Sequence, residues 1–254
     1  MIDLYNGDCL EIMDKLIEDN IKVDSIITDP PYGTTACKWD SVIPFDEMWL
    51  RLNKLIKPSG AIVLFGSEPF SSQLRVSNLE IYRYDIIWEK EQATNFMFMK
   101  KQIGKKHENI SIFYRKQPTY NPQMEDGFKI SKSGSIGKVS SFNIMGGSAK
   151  REPNTNRFPC SIQKFNRDRN KIHPTQKPIK LMEFLIKTYS NENETILDFT
   201  MGSGTTLVGC KNLNRKGIGI ELDKDYFEIA QNRVGEAIQG SSLEIEKLID
   251  LDEF

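Results

Sequence analysis

Short apolar runs alternate along the chain with stretches whose apolar residues recur at helical spacing. The runs at 23–28, 61–65, 85–88, 110–114, 195–198 and 218–222 are four to six residues long and are predicted as buried strands. Between them, 45–56, 179–189, 205–213 and 226–234 place their apolar residues on one face, as helices do. Strands alternating with helices predict an α/β fold with a doubly wound, mostly parallel sheet, whose ligands sit at the carboxyl ends of the strands. The rhythm stops between Gln117 and Lys171, where Gly, Ser, Asn, Pro and basic residues crowd together. A stretch of that length without periodicity predicts an inserted irregular subdomain or long loops, functional or disordered, within a single main domain. The expected organisation is therefore a discontinuous catalytic domain, 1–116 with 172–235, an insert at 117–171 and an acidic tail at 236–254.

Charge changes this picture more than composition does. The net charge is only -1, but residues 96–172 carry 16 Lys and Arg against 5 Asp and Glu, while the rest carries 18 against 30. A basic block beside an acidic body is the footprint expected for phosphate recognition, where bound cations displace condensed counterions; a solvated basic surface is the plainer alternative. Lys150, Arg151, Arg157, Lys164, Arg167 and Arg169 are the candidate DNA contacts. No apolar run approaches the length of a membrane span and the N-terminus lacks a signal pattern, so a cytoplasmic protein with no membrane partner is expected. Cys9, Cys37, Cys160 and Cys210 are scattered and only two histidines are present. Neither a metal site nor a disulfide framework is suggested, and buried free thiols are expected.

Asp29, Pro30, Pro31 and Tyr32 directly follow the strand at 23–28, and chance accounts for such a tetrapeptide with a probability on the order of 10⁻³. The group suits methyl transfer to an exocyclic amine, whose lone pair is delocalised into its ring. A carboxylate accepting one N–H and a carbonyl accepting the other draw the nitrogen toward tetrahedral geometry, and Asp29 and the Pro30 carbonyl are the two acceptors. Proline fixes φ and so holds that carbonyl outward. Tyr32 offers a flat face to an unstacked base. A proline-rich turn with a packed tyrosine is the alternative.

The second group runs from Asp198 through Phe199, Thr200, Met201, Gly202, Ser203, Gly204 and Thr205 to Thr206, a glycine loop between a strand and a helix. Glycines allow close approach of a ligand, and a helix N-terminus presents free N–H groups. Glu221 ends the next strand at about the spacing from Asp198 at which an acidic side chain reaches ribose hydroxyls. Leu207 stands where a dinucleotide fingerprint has its third glycine, and the Gly-Lys-Ser/Thr of a P-loop is missing, so an adenosine ligand without a polyphosphate fits best.

Taken together, these motifs resemble the DNA amino-methyltransferases in which the DPPY motif precedes the cofactor loop. The resemblance runs from Asn6 to about Val234. It includes Gly7 and Asp8, the DPPY motif, His107–Glu108–Asn109, the stretch from His173 through Pro174, Thr175, Gln176 and Lys177 to Pro178, the glycine loop and the strand at 217–222. It implies S-adenosylmethionine as cofactor, bound by Asp8, Cys9, Asp29, Lys177, Asp198 to Thr206, Glu221 and Leu222. Within that set Asp8 lies near the adenine, Glu221 on the ribose, and Lys177 near the methionine carboxylate. It implies methylation of the N6 of adenine in double-stranded DNA by base flipping, with target recognition in the basic insert. A homodimer and a separate cognate restriction endonuclease are also admitted as partners. Relatives acting on cytosine N4 usually have Ser where Asp29 stands, which favours adenine. Cytosine N4 is the alternative, and a silent DNA-binding subunit a more distant one. The family commonly has Asp-Pro-Phe before the loop, whereas here Phe199 follows Asp198 and Thr200 takes the aromatic position. Which side chain covers the methionine end is therefore open. Trp39 and Trp88 are read as core or loop packing in preference to base stacking, whereas His173 and the Asn95, Phe96 and Phe98 group admit a structural role as readily as a contact with ligand or DNA. The Pro159–Cys160 pair suggests the nucleophile of cytosine ring-carbon enzymes, but lies in the wrong order relative to the glycine loop.

Overall fold

The computed structural model describes residues 1–34, 40–125, 156–168 and 176–235. The chain divides into two compact units, Met1–Asn121 with Ser161–Phe254, and Pro122–Cys160. In the smaller unit the described residues form one antiparallel bridge, Glu125 with Arg157. The larger unit holds eight strands among its described residues: β1 (Ile2–Asn6), β2 (Val23–Thr28), β3 (Ile56–Gly66), β4 (Tyr82–Glu89), β5 (His107–Phe113), β6 (Ile162–Lys164), β7 (Thr195–Asp198) and β8 (Lys216–Glu221). They make one sheet in the order β1-β8-β7-β2-β3-β5-β4-β6. Pairing is parallel throughout except where β5 runs antiparallel to β3 and β4.

The helices are α1 (Cys9–Glu18), α2 (Phe45–Leu55), α3 (Phe70–Val76), α4 (Ile179–Tyr189) and α5 (Thr205–Asn212), with further helical backbone at 224–235. Residues 61–65 of β3 read as a continuous apolar run because both faces of the strand are covered, and in β2 (VDSIIT) the adjacent Ile26 and Ile27 serve opposite faces. Ile26, Ile62 and Leu64 pack with α1, α2 and α3, whereas their neighbours Ile27, Ala61, Val63 and Phe65 pack with α4 on the opposite side. The core is thus two layers divided by the sheet. No helix among the described residues is long and apolar enough to cross a membrane.

Sheet order creates the site. From β2 the chain crosses through α2 to β3, and from the adjacent β7 it crosses through α5 to β8, so the two connections depart in opposite directions along the sheet. A crevice opens at such a reversal, outside the carboxyl ends of the strands. Asp29 follows β2 there, and Thr200 follows β7.

Four strands and α-helices lie outside the predicted set. The edge strand β1 is only half covered, which weakens its apolar signature, and α3 spans just seven residues. Ile162–Lys164, inside the stretch read as insert, instead joins the main sheet as a three-residue edge strand on β4. The fourth omission, α1, carried a legible signal. Asp8 Oδ1 caps it by accepting the N–H groups of Leu10 and Glu11 at 2.8 and 3.3 Å, and Ile12, Met13 and Leu16 form its buried face.

Candidate active site

The turn after β2 is held from below by a carboxylate. Asp40 is buried, and its Oδ1 accepts the N–H groups of Tyr32 and Gly33 at 2.8 and 2.9 Å while Oδ2 accepts that of Thr34 at 2.9 Å. Three backbone donors converging on one side chain fix the path of Asp29 to Tyr32. The Asp29 carboxylate, with 24% of its side chain exposed, then receives the Tyr32 phenol on Oδ1 and the Lys177 ammonium on Oδ2 at 2.6 Å. Tyr32 rests on Phe70, ring centroids 5.0 Å apart and tilted by 32°. The tyrosine therefore has a role beyond the flat face expected of it, as a hydrogen-bond donor that orients the carboxylate.

Behind Asp29 lies a chain of alternating charges. Lys177 is buried and bridges Asp29 to Glu108, whose Oε2 is 3.0 Å away, and Glu108 Oε1 pairs with the buried Lys90. Aromatic faces surround the Lys177 ammonium, with Phe65, Tyr32 and Trp88 centroids at 5.0, 5.8 and 5.9 Å. Burial alone would raise the Glu108 carboxyl, but Lys177 and Lys90 together bring it down to about 2. Burial raises the Asp29 carboxyl above its ordinary value against the pull of Lys177, with Glu108 adding to the rise. Burial works against the Lys177 ammonium, yet the two carboxylates carry it above the ordinary lysine value. The asymmetry has a simple origin: Glu108 has two cations and Asp29 has one, so Asp29 is the more basic carboxylate of the pair.

The glycine loop meets this motif directly. Thr200 Oγ1 donates to the Asp29 carbonyl at 3.2 Å and lies 2.7 Å from Thr28 Oγ1, while Phe199 is buried in the core. The missing aromatic at position 200 is thus replaced by a hydroxyl that ties the loop to the strand-end motif. Gly202 and Gly204 have φ of 52° and 76°, and a Cβ on Gly204 would stand 2.9 Å from that of Ala230. Glycine is required at Gly204 on both counts. Asp198 is buried and accepts hydrogen bonds from the hydroxyls of Thr28 and Thr206; burial pushes its carboxyl up to about 6 against those bonds. Glu221 receives the N–H of Gly202 on Oε2 and that of Asp223 on Oε1, both at 2.8 Å.

These groups line one cavity of about 550 Å³, bounded among others by Asp8, Asp29, Tyr32, Lys177, Thr200 and Glu221. Every residue of the expected cofactor and catalytic sets lines it apart from Gly204, which shapes the loop from behind. Cys9 is part-buried with its thiol pushed up to about 12, and Leu222 is largely exposed at the rim. Lys90, Glu108 and Asp40 are the residues that sequence reading missed. Glu108 stood in the quoted His107–Glu108–Asn109 stretch without a role, because its partners come from distant segments.

The basic set is dispersed. Arg167 also lines the cavity, with Nε 2.8 Å from Glu91 Oε1, so its charge is already partnered. Lys164 is exposed on β6, and Arg157 lies in the smaller unit. Lys150, Arg151, Arg169, His173 and Trp39 lie outside the described residues, as does the acidic tail. Trp88 is core, its Nε1 donating to the Phe165 carbonyl at 2.8 Å. The expectation of buried thiols holds for Cys210 and fails for Cys160, which is exposed.

A doubly wound sheet whose glycine loop and acidic strand end share a crevice with Asp-Pro-Pro-Tyr defines an amino-methyltransferase. Residues 23–232 match the N6_N4_Mtase family, DNA methylase, and the chain belongs to that family. The Type II methyltransferase M.HpaI of Haemophilus parainfluenzae is 31% identical over 238 residues, covering 89% of this chain and 72% of that protein. M1.MboII of Moraxella bovis is 28% identical over 250 residues, covering 89% and 94%. Among solved structures, the M1.HpyAVI–SAM complex is 28% identical with a TM-score of 0.64, covering 92% of this chain and all of that one. The cytosine-N4-specific PvuII methyltransferase shares the fold at 17% identity and the same TM-score. Fold alone therefore does not select the base.

Proposed function

We propose that this protein transfers the methyl group of S-adenosylmethionine to the N6 of adenine at specific sites in double-stranded DNA. The observation that carries the reading is the Asp29 carboxylate, fixed by Tyr32 and Lys177 at the mouth of the sheet crevice and joined to the glycine loop through Thr200.

The donor and acceptor set suits the cofactor. Both Glu221 oxygens retain lone pairs for a ribose diol beyond the N–H groups they already accept. The first turn of α5 offers unfilled N–H groups beside the left-handed Gly204. When bound, S-adenosylmethionine supplies an electrophilic methyl carbon on a positively charged sulfur. The protein acts on the nucleophile. With Asp29 accepting one N–H of the flipped base and the Pro30 carbonyl the other, the nitrogen lone pair is drawn out of the ring and directed at the methyl carbon. On gaining a methyl group the nitrogen must lose a proton, which Asp29 would accept along the hydrogen bond between them, and its raised basicity suits it to that role. Asp29 favours adenine over cytosine, since its relatives acting on cytosine N4 usually have Ser there.

Product analysis tests the base. DNA treated with enzyme and cofactor, hydrolysed and resolved by mass, is expected to contain N6-methyladenine. N4-methylcytosine without methyladenine overturns the adenine assignment, and an absence of both overturns the activity.

Glu221→Ala is expected to weaken cofactor binding by about 1–3 kcal/mol, the range of charge-assisted hydrogen bonds. Because Glu221 also holds Gly202, calorimetry with adenosine as well as the whole cofactor separates two effects. A ribose contact lowers both affinities alike. A loss confined to the whole cofactor assigns Glu221 to shaping the loop.

A further inference from the structure

Between β4 and β5 the chain makes an excursion whose tip is a 3-10 turn, Phe96–Phe98. Phe96, Met97, Phe98, Met99 and Ile103 are between 52% and 94% exposed, a concentration of large apolar side chains that marks an interaction site rather than scattered surface. The excursion is braced. The N–H groups of Lys90 and Thr94 donate to the carbonyls of Lys106 and Lys105, each at 2.9 Å, Asn95 Oδ1 accepts the N–H of Lys105 at 2.6 Å, and the Lys105 ammonium bonds Ser67 beyond the end of β3. Lys90 and Thr94 also line the cavity that holds Asp29, so the tip rises from the rim of the site.

Charge identifies the occupant. From 92 to 106 the sequence has four lysines and no acidic residue. Lys105 is bonded to Ser67 and Lys106 to Glu89, whereas Lys100 and Lys101 are exposed and have no ion-pair partner among the described residues. Two copies of this surface meeting on a two-fold axis would bring like charges together. A polyanion presenting apolar faces between its charges complements it: a DNA duplex with its bases unstacked.

Resting on the reading of this chain as a DNA methyltransferase, we propose that Phe96, Met97 and Phe98 form a wedge that enters the duplex beside the target base, with Lys100 and Lys101 on the flanking phosphates. Extruding a base breaks its stacking and leaves a gap. Apolar side chains between base steps compensate for lost stacking and hold the duplex open.

The test begins by mapping the methylated sequence in unmethylated plasmid DNA treated with wild-type protein. Two synthetic duplexes carrying that sequence are then compared, one with the target base paired and one with it opposite an abasic site, where no base pair has to be broken and extrusion costs less. The variant Phe96→Ser/Met97→Ser/Phe98→Ser is expected to lose roughly tenfold or more in kcat/KM on the paired duplex and less than about threefold on the abasic one. Lys100→Gln/Lys101→Gln is expected to flatten the salt dependence of binding by about one unit per phosphate contact while leaving the paired-to-abasic ratio unchanged. Phe96→Ser alone provides the same comparison should the triple variant fail to fold. Equal losses on both duplexes, or none on the paired one, overturn the wedge. So does a wild-type dimer that the substitutions dissociate, since the turn would then be a self-interface. Wild-type protein that labels no DNA fails the functional reading itself, and the wedge with it.

Discussion

Replacing Asp29 with Ala is expected to reduce methyl transfer by about a thousandfold or more, the upper range for deleting a group that acts on developing charge in a transition state. Cofactor binding should persist, because Glu221, the glycine loop and the first turn of α5 do not depend on the Asp29 side chain. The effect should therefore fall on kcat and not on the cofactor's Kd, as expected of an interaction made mainly in the transition state. Asp29→Asn sharpens the measurement. It keeps the size of the side chain and one acceptor oxygen while removing the negative charge, and leaves Glu108 as the only carboxylate on Lys177. Single-turnover transfer with either variant within a few-fold of wild type would remove Asp29 from the chemistry. A loss of cofactor binding equal to the loss of transfer would place its role in the cofactor site.

The parts of this site legible in the sequence are those built from contiguous residues. Asp29 to Tyr32 at the end of β2, and Asp198 to Thr206 between β7 and α5, each combine a strand end with a turn that local chemistry dictates. Glu221 was legible through its spacing from Asp198. Groups that act through space were not. The three N–H bonds to Asp40 depend on a backbone path that no periodicity encodes. The pairing of Lys90 with Glu108 depends on β4 and β5 being antiparallel neighbours, and Lys177 joins them from beyond the insert. A similar logic explains the fold. β3 was recognisable because burial on both faces makes residues 61–65 uniformly apolar, and β2 because Val23, Ile26 and Ile27 concentrate apolar surface in a short run. β1 and β6 were not, because an edge strand of three to five residues needs little apolar surface. The basic block was visible as charge, but its geometry was not: Arg167 is bound to Glu91 and Lys164 has become part of the sheet's edge, whereas the exposed Lys100 and Lys101 on the excursion between β4 and β5 were absent from the candidate set.

The charge order behind Asp29 leads to an expectation that separates two roles for Lys177. The family resemblance places this lysine near the methionine carboxylate, whereas the structure ties it to Asp29 and Glu108. If the latter contacts govern activity, Lys177→Met leaves two carboxylates facing each other in a buried site, with only Lys90 to balance them. Glu108 retains that lysine, so Asp29 becomes the group that holds a proton. A base that must be ionised loses activity as pH falls through its pKa, so the acid limb of the pH–rate profile is expected to move to higher pH, with activity at pH 7 down by about tenfold or more and partly recovered in alkali. Glu108→Gln works in the opposite direction. Asp29 then has the Lys177 ammonium to itself, its carboxyl falls, and the acid limb moves to lower pH. Removing Glu108 also leaves the buried Lys90 without its partner, and breaking a buried pair costs about 3–5 kcal/mol, so this variant should be measured well below its own melting temperature. Opposite displacements of the acid limb in the two variants can arise only if both side chains act on the ionisation of one group. If Lys177→Met instead weakens cofactor binding and leaves the acid limb where it was, the lysine serves the methionine carboxylate, and its contact with Asp29 does not set the ionisation on which transfer depends.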